Sequence, residues 1–309
     1  MARILIAGAG ATGGALGARL IVAGQDVTFL TRERRAKQLA SDGLRFRAPD
    51  CDGVHRVRAV TRVQDSEQYD VVIVAVKAPA LDDLIPMLTP ARGPQTRFVP
   101  LLNGMEHMSK LERAFPGQVL GGILRIVATL DPHAIVTQMT ELCSLSLGGL
   151  AGDAVPETVR RAFDVDGIDL EIVDDVASLL WEKWAFIAAA GVITCLFRGT
   201  VGDILAAGGE GEIRQAITEC EQIALSSGHP VSDRAHAQSL ALLTEPGSMF
   251  TSSLYRDLQH GDPAEAEHII GDLAARAVAT NTSAPLLNAA LLQLRTHHQS
   301  LKRTSGATR

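Results

Sequence analysis

The stretch Ile4-Leu5-Ile6-Ala7-Gly8-Ala9-Gly10-Ala11-Thr12-Gly13-Gly14 decides how the rest of this 309-residue chain is read. Four apolar residues in a row predict a buried strand, and the pattern G-x-G-x-x-G follows at once, ahead of a helix expected over Ala15 to Ala23. In that context each glycine has a task. Gly8 permits a tight turn, Gly10 lets the backbone approach a pyrophosphate, and Gly13 lets helix lie close on strand. The helix N-terminus then offers unpaired N–H groups to the anion. Gly8, Ala9, Gly10, Ala11, Thr12 and Gly13 are therefore candidate dinucleotide-binding residues. A glycine-rich turn without a ligand is the plainer reading; the preceding strand and the following helix favour the cofactor.

Beyond this turn, short runs of Val, Ile and Leu alternate with helical patterns: Arg3–Ala7, Asp26–Leu30, Asp70–Val76, Thr96–Leu101 and Val119–Ala128. That alternation predicts an α/β domain. Asp70-Val71-Val72-Ile73-Val74-Ala75-Val76 is apolar without alternation, as a central parallel strand covered on both faces requires. Ile135–Thr137, Cys143–Leu147 and Leu170–Val173 read as further strands, expected as antiparallel additions at one edge. After Asp174-Asp175 the strand signals stop and helix-period patterns take over, at about 176–197, 209–227, 233–243, 265–280 and 284–301. The expectation is a dinucleotide-binding domain over residues 1–171 and an all-α domain over 172–309.

Composition narrows the function. Lys and Arg number 29 against 35 Asp and Glu, a formal charge of −6, so nothing suggests the broad basic face that tracks nucleic acid. Cys51, Cys143, Cys195 and Cys220 form no C-x-x-C pair, which argues against a zinc knuckle or a disulfide framework and suits a reducing cytoplasm. The histidines show no ligand spacing, and no metal site is expected. Ile4–Ala7 is too short for a secretion signal, and the longest apolar stretch, Trp184 to Phe197, falls below the ~18 residues of a membrane span. No membrane partner is expected.

The second strand sets the cofactor. Its tip carries Thr31 and Arg32, about 20 residues past the first glycine, where an NAD site places an acid on the ribose. Arg32, with Arg34 and Arg35 behind it, can form charge-assisted bonds to a 2′-phosphate, which favours NADP. Glu33 points the other way, toward a ribose hydroxyl, and a solvated helix start accounts for the arginines without any ligand.

Further elements lie downstream: Val76-Lys77-Ala78-Pro79 at the end of the central strand, Asn103-Gly104-Met105 after the next, Trp181-Glu182-Lys183-Trp184 opening the long apolar helix, Thr251-Ser252-Ser253-Leu254-Tyr255-Arg256-Asp257, and Gly261-Asp262-Pro263-Ala264-Glu265. In this order, behind the glycine turn and as far as about residue 285, the set resembles the 2-dehydropantoate 2-reductase (ketopantoate reductase) family. The resemblance implies a Rossmann-type domain followed by a helical one, and NADPH-dependent reduction of a 2-keto acid to a 2-hydroxy acid, with pantothenate biosynthesis as the setting. It implies that Arg32 and Lys77 contact the cofactor, with Arg32 at the 2′-phosphate, and that Asn103 sits between nicotinamide and substrate. Lys183 becomes the proton donor, Glu265 its partner or an anchor for the substrate hydroxyl, and Ser253 a ligand of the substrate carboxylate. These roles make chemical sense, because hydride addition to C2 builds charge on oxygen that a positioned ammonium can stabilise and protonate.

Each of these residues also has a structural reading: a snorkelling surface lysine for Lys183, a helix-terminal charge for Glu265, a cap for Ser253, a turn residue for Asn103. The chain departs from the family pattern at the positions four and eight residues after the lysine, where asparagines bind substrate. Here they are Ile187 and Gly191. With Thr194 they share the face of Lys183, so an apolar, enlarged pocket floor is expected, with Thr194 offering one polar contact and a larger or less polar 2-keto acid as substrate. A dinucleotide sensor without turnover and an opine-type imine dehydrogenase are the alternatives. The apolar helical half also suits a homodimer.

Overall fold

The computed structural model describes residues 2–261 and 265–306. It divides the chain into one unit of residues 1–102 and 107–177 and another of 103–106 and 178–309. Among the described residues the first unit holds ten strands: β1 (Arg3–Ala7), β2 (Asp26–Leu30), β3 (Leu44–Arg47), β4 (Asp52–His55), β5 (Arg58–Val60), β6 (Val71–Val74), β7 (Arg97–Pro100), β8 (Leu120–Leu130), β9 (Ile135–Gly149) and β10 (Asp169–Ile172). Five make a parallel sheet in the order β5-β2-β1-β6-β7. All four residues of β6 are buried, as its unbroken apolar run requires. The chain leaves β1 toward β2 on one side and returns to β6 on the other, so a topological switch point lies between β1 and β6, where open α/β sheets bind ligands.

The helix after the glycine turn spans Ala11–Val22 rather than starting at Ala15. Ala11, Thr12 and Gly13 thus form its first turn. Its glycines let it sit flat on the sheet: a Cβ at Gly17 would run into the Phe29 ring and lie 2.9 Å from Ile6 Cδ1.

A second sheet replaces the expected edge additions. It runs β10-β9-β3-β4, with β8 paired antiparallel to β9. Ile135–Thr137 and Cys143–Leu147 are two ends of one 15-residue strand, β9, pairing in parallel with β3 at its start and with β10 at its end. The residues between them form a bulge opposite Val127, since β8 pairs Ile126 with Cys143 and Ala128 with Gln138. Gln138 holds that bulge. Its buried amide donates to the carbonyls of Thr140 (2.6 Å) and Leu142 (3.3 Å) and accepts from Arg19 Nε at 2.8 Å. Arg19, only 4% exposed, also forks onto Asp50 at 2.9 and 3.0 Å and so ties the glycine-turn helix to this sheet. The hydrogen bonds to Asp50 raise its pKa above the ordinary value although burial opposes them.

The second unit is built around helix Val176–Phe197, which begins two residues inside the first unit. This 22-residue helix is long and apolar enough to cross a membrane by length and composition alone, against the expectation from the shorter Trp184–Phe197 run. In its most apolar window 67% is buried within the protein, which makes it a core helix. Helices Val201–Ala206, Glu210–Ser226, Asp233–Leu243, Ser253–His260, Asp272–Ala279 and Pro285–Gly306 accompany it. Buried Glu219 accepts the first free N–H groups of the last helix, from Leu286 (3.2 Å) and Leu287 (3.0 Å), directly after Pro285. The expected 265–280 helix contains a π turn, Glu267–Gly271.

All four cysteines are free. Burial raises the Cys143 thiol from 9.0 to about 11 and Cys195 to about 12, and burial with Glu219 and Glu221 pushes Cys220 higher still. Above pH 9 the unfolded chain releases these protons while the folded one retains them. Stability therefore falls with rising pH, by up to about 1.4 kcal/mol per pH unit for each thiol. Urea midpoints between neutral and strongly alkaline pH should show this slope, and replacing all three thiols with alanine should flatten it. An unchanged alkaline slope in that variant would refute the assignment.

Candidate active site

The glycine turn carries the three features that its spacing predicts. Gly8 has φ +108°, and a Cβ there would lie 2.6 Å from the Ala75 carbonyl oxygen. Its N–H donates to the Leu30 carbonyl at 2.9 Å, which locks the turn to the tip of β2. Around Gly10 the space is open: apart from its own chain neighbours and the adjoining helix backbone, no atom of the described residues lies within 4 Å of where a side chain would start. A Cβ at Gly13 would run into the Gly8 carbonyl, so only glycine lets the helix approach the turn this closely. Gly10 is the N-cap, with no side chain capping the helix and no acid in its first turn. The amides and dipole at this end are left for an external anion. The arrangement fits a dinucleotide diphosphate.

Arg32 is exposed at the tip of β2, in extended conformation at the N-cap of helix Glu33–Asp42. Glu33 pairs with Lys37 at 2.7 Å along its own helix, both side chains being exposed. Arg34 is exposed, whereas Arg35 turns inward. Lys77 is exposed three residues beyond β6, just ahead of a short 3-10 turn containing Pro79. Ala75, two residues before Lys77, is the residue against which Gly8 packs. These cofactor candidates therefore share the carboxyl edge of one parallel sheet.

Asn103, expected with the sheet domain, belongs with the helical unit together with Gly104, Met105 and Glu106. Gly104 explains this. It has φ +84°, and a Cβ there would lie 2.6 Å from the His268 carbonyl, so the loop is pressed on the π turn. His268, buried, pairs through Nδ1 with Glu106 Oε2 at 3.4 Å. Asn103 itself is half-buried.

Lys183 is half-buried on helix Val176–Phe197, between buried Trp181 and Trp184. Trp184 Nε1 donates to the Ile269 carbonyl at 2.9 Å, and the Arg276 guanidinium lies 5.0 and 5.2 Å from the Trp181 and Trp184 ring centres. Glu265, half-buried, stands one turn before Ile269, whose N–H donates to the Glu265 carbonyl at 3.1 Å. Asp262–Ala264 of its motif lie outside the described residues.

The face beyond the lysine departs from the expectation in two ways. Ile187 is half-buried and apolar, but Gly191 opens no extra room: Leu254 Cδ1 lies 2.8 Å from where a Cβ would stand, and Ile270 Cδ1 lies 3.5 Å away. Helix Ser253–His260 packs on the glycine and fills it. Thr194 is withdrawn as a substrate contact. It is fully buried, its hydroxyl donates to the Ala190 carbonyl (2.6 Å) and accepts from Ser252 Oγ (2.7 Å), and Ser252 in turn accepts from the Tyr255 N–H at 3.1 Å. The capping role falls to Ser252, which leaves Ser253 exposed in the first turn of that helix. Leu254 is not legible as a site residue from the sequence, because which helix it faces is a tertiary fact.

A diphosphate cradle on a parallel sheet, followed by a helical unit with a half-buried lysine on its central helix, defines a two-unit dinucleotide-binding protein of the α/β plus α class. Residues 4–151 match the family model for ketopantoate reductase PanE/ApbA, and residues 175–298 match the model for its C-terminal domain. The chain belongs to the ketopantoate reductase family of oxidoreductases, whose members use a nicotinamide dinucleotide. It is 31% identical over 290 residues to the uncharacterised oxidoreductase YkpB of Bacillus subtilis strain 168, covering 92% of this chain and 95% of that one. A PanE/ApbA family ketopantoate reductase from Ralstonia eutropha JMP134 shares the fold with a TM-score of 0.88 at 20% identity, covering 97% of this chain and 99% of that one. A D-mandelate dehydrogenase solved with NADH and anilino(oxo)acetate shares it with a TM-score of 0.87 at 18% identity, covering 97% and 99%.

Proposed function

We propose that this protein reduces a 2-keto acid to the 2-hydroxy acid with NADPH, and that the acid is less polar than ketopantoate. One observation carries the reading. An open, uncapped glycine cradle stands beside an exposed arginine at the β2 tip, while a half-buried lysine in the other unit is followed by an apolar face of Ile187 and a leucine-filled Gly191. When bound, the reduced nicotinamide supplies a hydride to C2. The amides of Gly10 to Gly13 hold the diphosphate, Arg32 the 2′-phosphate, and Lys77 a second anionic or hydroxyl group of the cofactor. Lys183 holds a proton at the carbonyl oxygen. Glu265 keeps that ammonium charged or anchors the substrate's distal group, while Asn103 and Ser253 orient the carbonyl and carboxylate. The mandelate enzyme's 2-hydroxy acid carries a phenyl ring, a substituent that an apolar face would also accept.

The loss of absorbance of NADPH or NADH with a panel of 2-keto acids tests this. Turnover highest with branched or aryl keto acids supports it. A clear preference for ketopantoate would overturn the polarity argument and leave the reductase. Turnover only when amino acids are added would identify an imine dehydrogenase, and binding without turnover on any substrate a sensor. Within the same reading, Ile187→Asn restores a hydrogen-bonding group one turn from Lys183 and is expected to shift the kcat/KM ratio toward ketopantoate by about tenfold. An unmoved ratio would remove Ile187 from the substrate face.

A further inference from the structure

We propose that Arg35 is a positioning residue of the dinucleotide cradle, acting on the diphosphate through the Ala9–Gly10 peptide rather than by touching the 2′-phosphate. Its side chain leaves Arg32 and Arg34 outside and turns back under the glycine turn. Nε donates to the Ala9 carbonyl at 3.0 Å, and Nη1 donates to the Ala134 carbonyl at 3.2 Å and to the Gln38 side chain. The peptide joining Ala9 to Gly10 is trans, as are all those among the described residues. Its C=O and N–H therefore point in opposite directions. Holding the carbonyl from one side aims the Gly10 N–H to the other, and Gly10 is the residue with open space around it.

The far end of this strut is itself fixed. Ala134 has φ +64°, unusual for a residue with a side chain. The turn that imposes it is closed by Asp131, whose side chain accepts from the Ile135 N–H at 2.8 Å and whose carbonyl accepts from the Ala134 N–H at 3.0 Å. Val136, two residues on, lies against Gly14 in the first turns of the cradle helix, 2.8 Å from where a Cβ would stand. One guanidinium thus joins the glycine turn, helix Glu33–Asp42 and the β8–β9 hairpin. The second sheet serves the site through it.

Electrostatics point the same way. Among the described residues Arg35 Nη2 is buried without a partner, and burial lowers the pKa of the group from its ordinary value, though not far enough for a guanidinium to lose its charge. A positive charge held beside the positive end of a helix that has neither a capping side chain nor an acid in its first turn is unfavourable until an anion arrives. The diphosphate is the anion that the turn fits.

Three ligands separate this from a direct contact: NADPH, ADP-ribose, which has the diphosphate but no 2′-phosphate, and 2′-AMP, which has the reverse. By calorimetric titration, Arg35→Gln is expected to weaken NADPH and ADP-ribose by about tenfold or more and leave 2′-AMP within about twofold. Arg35→Lys, which keeps charge but cannot fork to two carbonyls, should recover only part. Arg32→Ala should instead weaken NADPH and 2′-AMP and spare ADP-ribose. Losses for NADPH and 2′-AMP with ADP-ribose unchanged would make Arg35 a direct 2′-phosphate ligand, equal losses for 2′-AMP and ADP-ribose would mean a collapse of the whole cofactor site, and three unchanged affinities with a lowered melting temperature would make it purely structural; any of these results overturns the proposal. If Arg35→Gln does not fold, the Lys variant decides between the same outcomes. Failure of the unaltered protein to bind NADPH or ADP-ribose would instead sink the cofactor reading on which this one rests.

Discussion

Lys183→Ala is expected to lower kcat by about a hundredfold to ten-thousandfold, the span that a positioned proton donor contributes, while leaving the dissociation constant of NADPH unchanged. The two halves of that expectation have different origins. The loss follows from chemistry: without the ammonium, the charge that develops on the carbonyl oxygen has neither a stabilising cation nor a proton source. The unchanged affinity follows from the proposed division of roles, in which Lys183 serves the substrate and the glycine cradle holds the diphosphate. Folding should survive. Trp184 remains bonded to the Ile269 carbonyl and Arg276 remains over both indoles, so the helical turn around residue 183 is held without the lysine, and alanine is the best helix former. Lys183→Arg keeps the charge but moves it and raises the pKa of the donor, so it should restore little. A variant that turns over normally would remove the lysine from the chemistry and revive the reading of a protein that binds the dinucleotide without using it.

What was legible in the sequence divides along a physical line. Gly8, Gly10 and Gly13 could be read because their constraint is local: all fall within six residues, and the structure shows a positive-φ turn at Gly8, open space at Gly10 and a close helix contact at Gly13. The β6 run could be read because burial on both faces leaves no alternation. The second sheet could not, because β9 pairs with β3 about ninety residues upstream and with β10 downstream on the same side, and its central bulge imitates a break. Only Gln138, a buried amide in a polar run, marks the continuity, and nothing in one sequence says that it is buried. The site shows the same division. Helical spacing did put Ile187, Gly191 and Thr194 on the lysine's face, but not what that face meets, and Leu254 and Ser252 had already taken two of the three positions. The grouping of Asn103 with the helical unit was not legible for a similar reason: its neighbour Gly104 is fitted to His268, a contact across more than 160 residues.

The glycines of the cradle offer a second large effect, because two of them should fail in opposite ways. Gly13→Ala must place a methyl group where the Gly8 carbonyl already is, with the Ala75 side chain at 3.1 Å on another side. The helix can relieve this only by lifting off the turn. The gain in helix propensity is about 1 kcal/mol, and overpacking of this kind costs about 1–3 kcal/mol, so a net loss of stability is expected together with loss of dinucleotide binding. Gly10→Ala has no such obstacle. Its backbone is extended at φ −81°, which any residue adopts, and the space around it is open. Its stability should stay within about 0.5 kcal/mol of the unaltered protein. Yet dinucleotide affinity should fall by tenfold or more, because the added methyl fills the approach that a diphosphate needs. Thermal melts and calorimetric titrations of the two variants, side by side, separate a glycine required by the fold from one required by the ligand. A Gly10→Ala protein that binds NADPH as tightly as before would mean that the open space over Gly10 is not where the cofactor lies, however well the turn around it is built.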